Sequence, residues 1–579
     1  MSTDPKRALI AVVRKIVFAG LVLLIAWLVL LGLRGTISVD TINQMREQAT
    51  QLEEMEQKIE IPLNPWSWDW SKSIWRGIPV AEITGERLWP TLGYVSVIST
   101  ISLLLAMIFL FVGQIVSRVT TRPGWLVKSR GILRLIIISA AVGIPIFVWD
   151  SLLPIYPAVW WKVPLSESGN PATFVLTMFI ASSVPIWLLV QYGHGELAKW
   201  PETSQVFDGE LWRHLAISLV IKILKLVGLI IVISMFVGLS SNLSGMGRIF
   251  VDAVAMRDLP VMFGVVWTII IMVVLLKLAA DIIEITYNHF RQKECEEGIT
   301  TIEKSAGFKI PRWLLVTCLI LVASSLIVAI IGFLISPHGT GNLTLADRLV
   351  PPSLKHIMGT DNLGRDIFSK LIFAIGGDVM IGLLAMSVMI PLVVGWGILG
   401  AHVRKPNDWR GDTLEDIVML PRDVLYACPW LILLLLLMSL AGYPIFGLFS
   451  GGIALFAGLV LLPRAMGIVQ EAYHNPPQQK KWLEAVLLSL PVVFLFTVSG
   501  GMIYVSAATY LGFGIAPPSA DLGGMLTGPG RRYMLEAPWM ALWPPTVLIF
   551  LMTVWVMTGD VLLERLGFRS KSIWSKILE

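Results

Sequence analysis

The stretch IVFAGLVLLIAWLVLLGL, residues 16–33, carries no charge and directly follows Lys6, Arg7, Arg14 and Lys15. An α-helix rises about 1.5 Å per residue, so a run of roughly 20 apolar residues reaches across a hydrocarbon core about 30 Å thick. The run is long for the apolar part of a signal peptide and has no small-residue cleavage site after it. It reads as a retained first membrane helix, with its basic flank and the N-terminus on the cytoplasmic side.

Similar runs recur outward along the chain, near 92–116, 132–150, 173–191, 215–238 and 261–285, then near 314–335, 376–400, 424–441, 452–470, 483–507 and 542–562. A long polar segment, 34–90, separates the first two; its Trp66, Trp68, Trp70 and Trp75 are the residue type that favours a membrane–water interface, which reads as an outer loop. Between the two series lies YNHFRQKECEEGITTIEKSAGFKIPRW, from Tyr287 to Trp313, a charged segment that reads as a cytoplasmic linker. The expectation is an all-α integral membrane protein of about twelve transmembrane helices in two pseudo-repeated halves of about six. Residues 1–290 form the first half, 291–313 the linker and 314–579 the second.

Composition agrees: 55% of the 579 residues are hydrophobic and 15% are charged, with a mean hydropathy of +0.74. A soluble domain carries roughly 25% charge, so that class is excluded. The net charge of +5 reflects Lys and Arg retained on one side, such as Arg118, Arg122, Lys128, Arg130 and Arg134 in one inner loop and Arg404, Lys405, Arg410 and Arg422 in another. No basic face with interleaved aromatics points to nucleic acid. Cys295, Cys318 and Cys428 are scattered, and His194, His214, His289 and His356 show no metal-ligand spacing. No phosphate-binding Gly-rich loop occurs, so the chain is expected not to be an enzyme and to bind no cofactor directly; ATP would act only through a partner. Asp150, Asp281, Glu284 and Asp560 lie near helix ends, where pairing or snorkelling is the plain reading.

The segment PPSLKHIMGTDNLGRDIFSKLIFA, Pro351 to Ala374, places Gly359, Thr360, Asp361, Gly364, Arg365 and Asp366 in a pattern that suits a tight turn with locally paired charges ahead of a membrane helix. This core closely resembles a signature of the dipeptide/oligopeptide/nickel permease family of ABC importers. The resemblance runs on through DTLEDIVMLPRDVLYACPWLILLLLLM, then Thr509 to Gly514 (with Leu511 and Gly512), Pro517-Pro518, Leu522-Gly523-Gly524-Met525-Leu526, Ala537-Pro538-Trp539 and Gly559-Asp560, covering roughly 310 to 567. Glycines and prolines there suit an irregular re-entrant segment, tolerated at membrane depth where protein covers it. The first half resembles the partner permease type more faintly, in Gly245-Met246-Gly247-Arg248 and Met256-Arg257-Asp258-Leu259-Pro260. The resemblance implies two permeases fused on one chain of a bacterial or archaeal cytoplasmic membrane, with both termini cytoplasmic. It also implies ABC ATPase subunits and an extracytoplasmic solute-binding protein as partners, besides the lipid bilayer.

The pattern departs from the family in the loops that would grip an ATPase. The second-half loop, PRAMGIVQEAYHNPPQQKKWLEAVLLSLP from Pro463, follows Glu471-Ala472-Tyr473 with Pro476-Pro477, and interior prolines cost a helix about 3 kcal/mol each. The first-half loop, YGHGELAKWPETSQVFDGELWRH from Tyr192, offers Glu196, Trp200, Phe207 and Glu210 and also lacks the pattern. These positions are candidate ATPase contacts if the chain transports. If it does not, the expectation is a permease-derived scaffold or assembly subunit whose partners are other membrane subunits.

Overall fold

A computed structural model describes residues 5–34, 42, 45, 69–119, 178, 181–197, 208–240, 245–295, 312–335, 345–403, 409–441, 465–466, 468–470, 472–473, 482–513, 521–526, 533 and 536–566. The expected spans 132–150 and most of 452–470 lie outside these residues, as do most of the loop after Arg34 and residues 296–311 of the linker. Among the described residues the chain is all-helical, with isolated β-bridges at Lys72/Pro79 and Thr360/Asp366 in place of any strand.

The first series runs α1 Pro5–Arg34, α2 Val80–Val119, α3 Ser183–Leu197, α4 Gly209–Lys225, α5 Val227–Ser240, α6 Met246–Ala255 and α7 Leu259–Cys295. The second runs α8 Arg312–Ile335, α9 Ile367–Val403, α10 Trp409–Ala427, α11 Trp430–Ala441, α12 Trp482–Ala508, a π-helical turn Thr509–Phe513, α13 Leu522–Leu526 and α14 Pro538–Arg565. Among the described residues six helices are long and apolar enough to cross a membrane, or eight if the bent pairs α4/α5 and α10/α11 each count as one span. The protein is a multi-pass membrane protein.

Two expectations are corrected here. The polar loop does not last to Pro90: α2 begins at Val80 and takes Pro90 into its interior. Proline removes one backbone donor, and the packing of Val80 against Gly264 and the bond from the Met246 amide to Thr91 Oγ1 (2.9 Å) hold this part of α2 in place. The run 424–441 is not one straight helix, because α10 and α11 meet at 85° across Cys428-Pro429. A residue before proline is disfavoured in the helical region, which makes Cys428-Pro429 a place where a helix can break.

Helices α2, α3, α4 and α7 pack in a ring with α1 against α7, and α8, α9, α12 and α14 pack in a second ring. Elements α10 and α11 bridge the two: α10 packs on α9 and on α1 and α7, and α11 packs on α12 and on α5, α6 and α7. One hydrophobic core therefore runs through both series, joining Val265, Ile269 and Met262 with Leu431, Leu434, Leu435, Tyr504 and Val505. Polar contacts cross with it, from Arg14 to Asp416 (3.4 Å) and from Lys277 Nζ to the Tyr426 carbonyl (3.4 Å).

Candidate functional site

The signature turn is built from its backbone upward. Gly359 and Gly364 take φ of +78° and +74°, the left-handed region that disfavours residues with a Cβ. A Cβ on Gly359 would also lie 2.7 Å from the Trp539 ring and 2.8 Å from the Val350 carbonyl. The turn closes through Thr360 N to Val350 O (3.0 Å), Asp361 N to Arg365 O (2.9 Å) and Ile367 N to Gly359 O (3.0 Å). Thr360 Oγ1 accepts from the Val350 amide (2.8 Å), and Trp539 Nε1 donates to the Thr360 carbonyl (3.1 Å), tying the turn to α14.

Its charges are used inside it. Asp361 Oδ1 accepts from the amides of Leu363 and Arg365 (both 2.9 Å), and Oδ2 accepts from Arg365 Nε (2.9 Å) and Lys370 Nζ (3.0 Å). Burial pushes the Asp361 carboxyl up, but Lys370 and the two amides outweigh it and hold it below the usual carboxylate range. Asp366 caps α9, accepting from Ser369 N and Oγ (both 2.8 Å). Its other oxygen lies 3.0 Å from His356 Nδ1, while His356 Nε2 lies 3.9 Å from Asp347 Oδ2. His356, which stands alone in the sequence, is thus buried between two carboxylates. The arrangement is a clasp that fixes the start of a membrane helix.

A second clasp lies in the first series. Asp258, buried between α6 and α7, accepts from Ser73 Oγ and from the Ile74 amide (3.3 Å), and burial raises its carboxyl above the usual range. The preceding Arg257 has φ +56°. Gly247 lets α6 lie against α5, since a Cβ there would come within 2.6 Å of Met235 Cα. Gly245 is the N-cap of α6, and Arg248 faces Asp252 at 3.9 Å.

The candidate ATPase-contact residues divide. Trp200, Phe207, Glu471, Pro476 and Pro477 lie outside the described residues, as do Gly514, Pro517 and Pro518 of the re-entrant motif. Glu196 is buried, 3.5 Å from His214 Nε2, and His214 Nδ1 meets the Tyr287 hydroxyl at 2.9 Å. Glu210 is exposed on the first turn of α4, beside Arg213. Ala472 is buried and Tyr473 half-buried, with its hydroxyl 3.0 Å from His402 Nδ1. Gln470, next to this pair, receives Arg422 NH1 (3.0 Å), which anchors the segment to α10. Leu511 and Gly512 lie in the π-helical turn, and α13 packs on that turn and on α12.

Asp281 and Glu284, expected near a helix end, lie inside α7, which continues to Cys295, and they pair with Lys225 Nζ at the end of α4 at 3.3 and 2.6 Å. Sequence reading missed Asp378, which falls inside the expected span 376–400. It lies 11 positions into α9, fully buried, and the Gly376-Gly377-Asp378 triplet inside an apolar stretch was the available signal.

No protein-family model matches the chain. It is 24% identical over 260 residues to a probable D,D-dipeptide transport system permease protein of Escherichia coli strain K12, an alignment spanning 43% of this chain and 85% of that one. A dipeptide transport system permease protein of Bacillus subtilis strain 168 is 26% identical over 257 residues, covering 42% and 77%. A nickel transport system permease protein of Escherichia coli strain K12 is 27% identical over 276 residues, covering 44% and 94%. Nearly a whole relative thus corresponds to less than half of this chain.

Proposed function

We propose that the chain is the membrane-spanning permease of an ABC-type importer for peptides or similar small solutes, and that it joins two permease-like halves, 1–290 and 314–579, through the linker 291–313. The observation that carries this reading is the similarity to three dipeptide and nickel transport permeases, each matched over most of its length by under half of this chain. The core shared between the two helix series supports it, because two halves of one translocation path must meet along a common face. Six or eight spans among the described residues are compatible with about twelve in all. In this reading separate ATPase subunits hydrolyse ATP and dock at the loops 192–214 and 470–482, while a solute-binding protein meets the opposite face. The membrane is a bacterial or archaeal cytoplasmic membrane, with both termini in the cytoplasm.

The second reading, a permease-derived scaffold in another membrane assembly, is favoured by one feature: Glu196, a candidate ATPase contact, is buried against His214. One experiment separates the two. Purification from the native membrane in mild detergent should recover two ATPase subunits, with ATPase activity lost on deleting residues 470–482. Recovery of other membrane subunits and no ATPase would replace the importer reading with the scaffold.

A further inference from the structure

Helix α1 packs on α7 of the first series and on α10 of the second, and two neighbouring residues near its start reach in different directions. Arg14 Nε lies 3.4 Å from Asp416 Oδ2 on α10, while Lys15 Nζ lies 3.7 Å from Asp281 Oδ2 on α7. The contacts continue beyond Asp281. Lys225 Nζ, in the last turn of α4, stands 3.3 Å from Asp281 Oδ1 and 2.6 Å from Glu284 Oε2.

On the other side α10 takes up the path. Glu415, next to Asp416, accepts from Gln470 Nε2 (3.5 Å), and Arg422 NH1 donates to Gln470 Oε1 (3.0 Å). Trp396 Nε1 of α9 donates to the Val418 carbonyl (2.7 Å), which seats α10 on α9. The path therefore starts at Gln470, where the loop 470–482 begins, and ends on α4, the helix into which the loop 192–214 runs. Glu196 and His214 stand 3.5 Å apart and His214 meets Tyr287 of α7, so the base of that second loop is closed on the helix that carries Lys225. The ion-paired side chains between the two ends are 24% to 44% exposed, a range in which pairing is attenuated by solvent but not abolished.

We infer that this chain of charged contacts, with Arg14 and Lys15 of α1 at its middle, couples the two candidate ATPase-contact loops across the seam between the helix series. A displacement of Gln470 is carried by Glu415 and Arg422 into α10, and Asp416 hands it to Arg14. Arg14 and Lys15 sit on one helix, so the shift passes to Asp281 and from there to Lys225 and α4. Alternating access moves one half of a permease against the other, which requires the two loops to act in concert. Naming the loops as ATPase contacts rests on the importer reading; the coupling itself is a property of the chain alone.

The test is amide hydrogen exchange on the full chain purified in detergent, read in peptides from α10, from α1 around Arg14 and from α4 around Lys225. Gln470→Ala should speed exchange about two- to fivefold in all three, the size of effect that part-exposed ion pairs support. In a Lys15→Gln background the same substitution should leave α4 unmoved. Raising salt from about 0.1 to about 1 M, which shortens the screening length from about 10 to about 3 Å, should likewise confine the response to α10. Arg14→Asp should block the spread to α1 and α4, and pairing it with Asp416→Arg should restore it, which separates loss of the contact from loss of the fold. A response to Gln470→Ala that never leaves α10, or one that reaches α4 regardless of Lys15→Gln, would overturn the coupling. Failure to recover ATPase subunits with the chain would overturn the importer reading and leave this result standing.

Discussion

Asp361 holds two cations and two amides at once, and it does so almost out of contact with water. Removing it strands Lys370 and Arg365 together, so Asp361→Ala should cost about 3–5 kcal/mol in unfolding measurements. The sign of its pH effect follows from its lowered carboxyl: the contribution is present above the unfolded value near ~3.9 and is lost as pH falls through the folded one. Asp258 has the opposite sign, since burial raises its carboxyl. Its contribution is present below ~3.9 and fades as pH rises toward the folded value, so Asp258→Asn should flatten the fall in melting temperature above about pH 4. A melting curve for that variant that tracks wild type across this range would contradict the assignment. At Gly359 both the positive φ and the Trp539 ring oppose a side chain. Gly359→Ala should therefore destabilise by more than the 1–2 kcal/mol that a left-handed residue costs alone, which sets the expectation for Gly364→Ala. Comparing the two melting temperatures checks this.

Among the elements, what the sequence made legible was the apolar run, and what it hid was where a run bends. Proline gives an incomplete signal: Pro391, Pro421 and Pro491 lie inside helices, as do Pro544 and Pro545, whereas Pro429 marks an 85° break. The difference is tertiary, because Trp430 stacks on Tyr504 at 4.2 Å and Leu431, Leu434 and Leu435 are fully buried beyond the corner. Packing holds the bend, so Pro429→Ala should change stability by under about 1 kcal/mol, while Trp430→Ala should cost about 3 kcal/mol or more. Equal losses in the two variants would mean that the proline itself sets the corner. The clasp was legible for the same reason in reverse, since Gly359, Asp361, Gly364 and Arg365 make their contacts within a few residues. His214 with Glu196 and Tyr287, and Asp378 with Ser506 and Leu522, are joined only by folding, and no local spacing announces them.

At the scale of the molecule, the decisive feature is that the first series and α11 of the second share one hydrophobic core, beside two cores that the second series builds alone. Element α11 places Leu431, Leu434, Leu435 and Leu436 in a core whose other wall includes Val265, Ile269 and Met262 of α7. Lipid does not drive these faces together as water would, so the contact must be held by close packing and by the polar links at its edges. Those links are Arg14 with Asp416 (3.4 Å) and Lys277 with the Tyr426 carbonyl (3.4 Å), both toward α10. If the interface is held this way, the covalent linker is dispensable for association. Residues 1–295 and 312–579, expressed together as separate chains with an affinity tag on one, should be recovered as a one-to-one complex from detergent extracts. Leu435→Asp in the second piece should abolish recovery, because an unpaired charge would enter the core at the seam, whereas Asp416→Asn should weaken it only in part. Recovery of the tagged piece alone in the unmodified pair would show that the linker, and not the shared core, keeps the two series together.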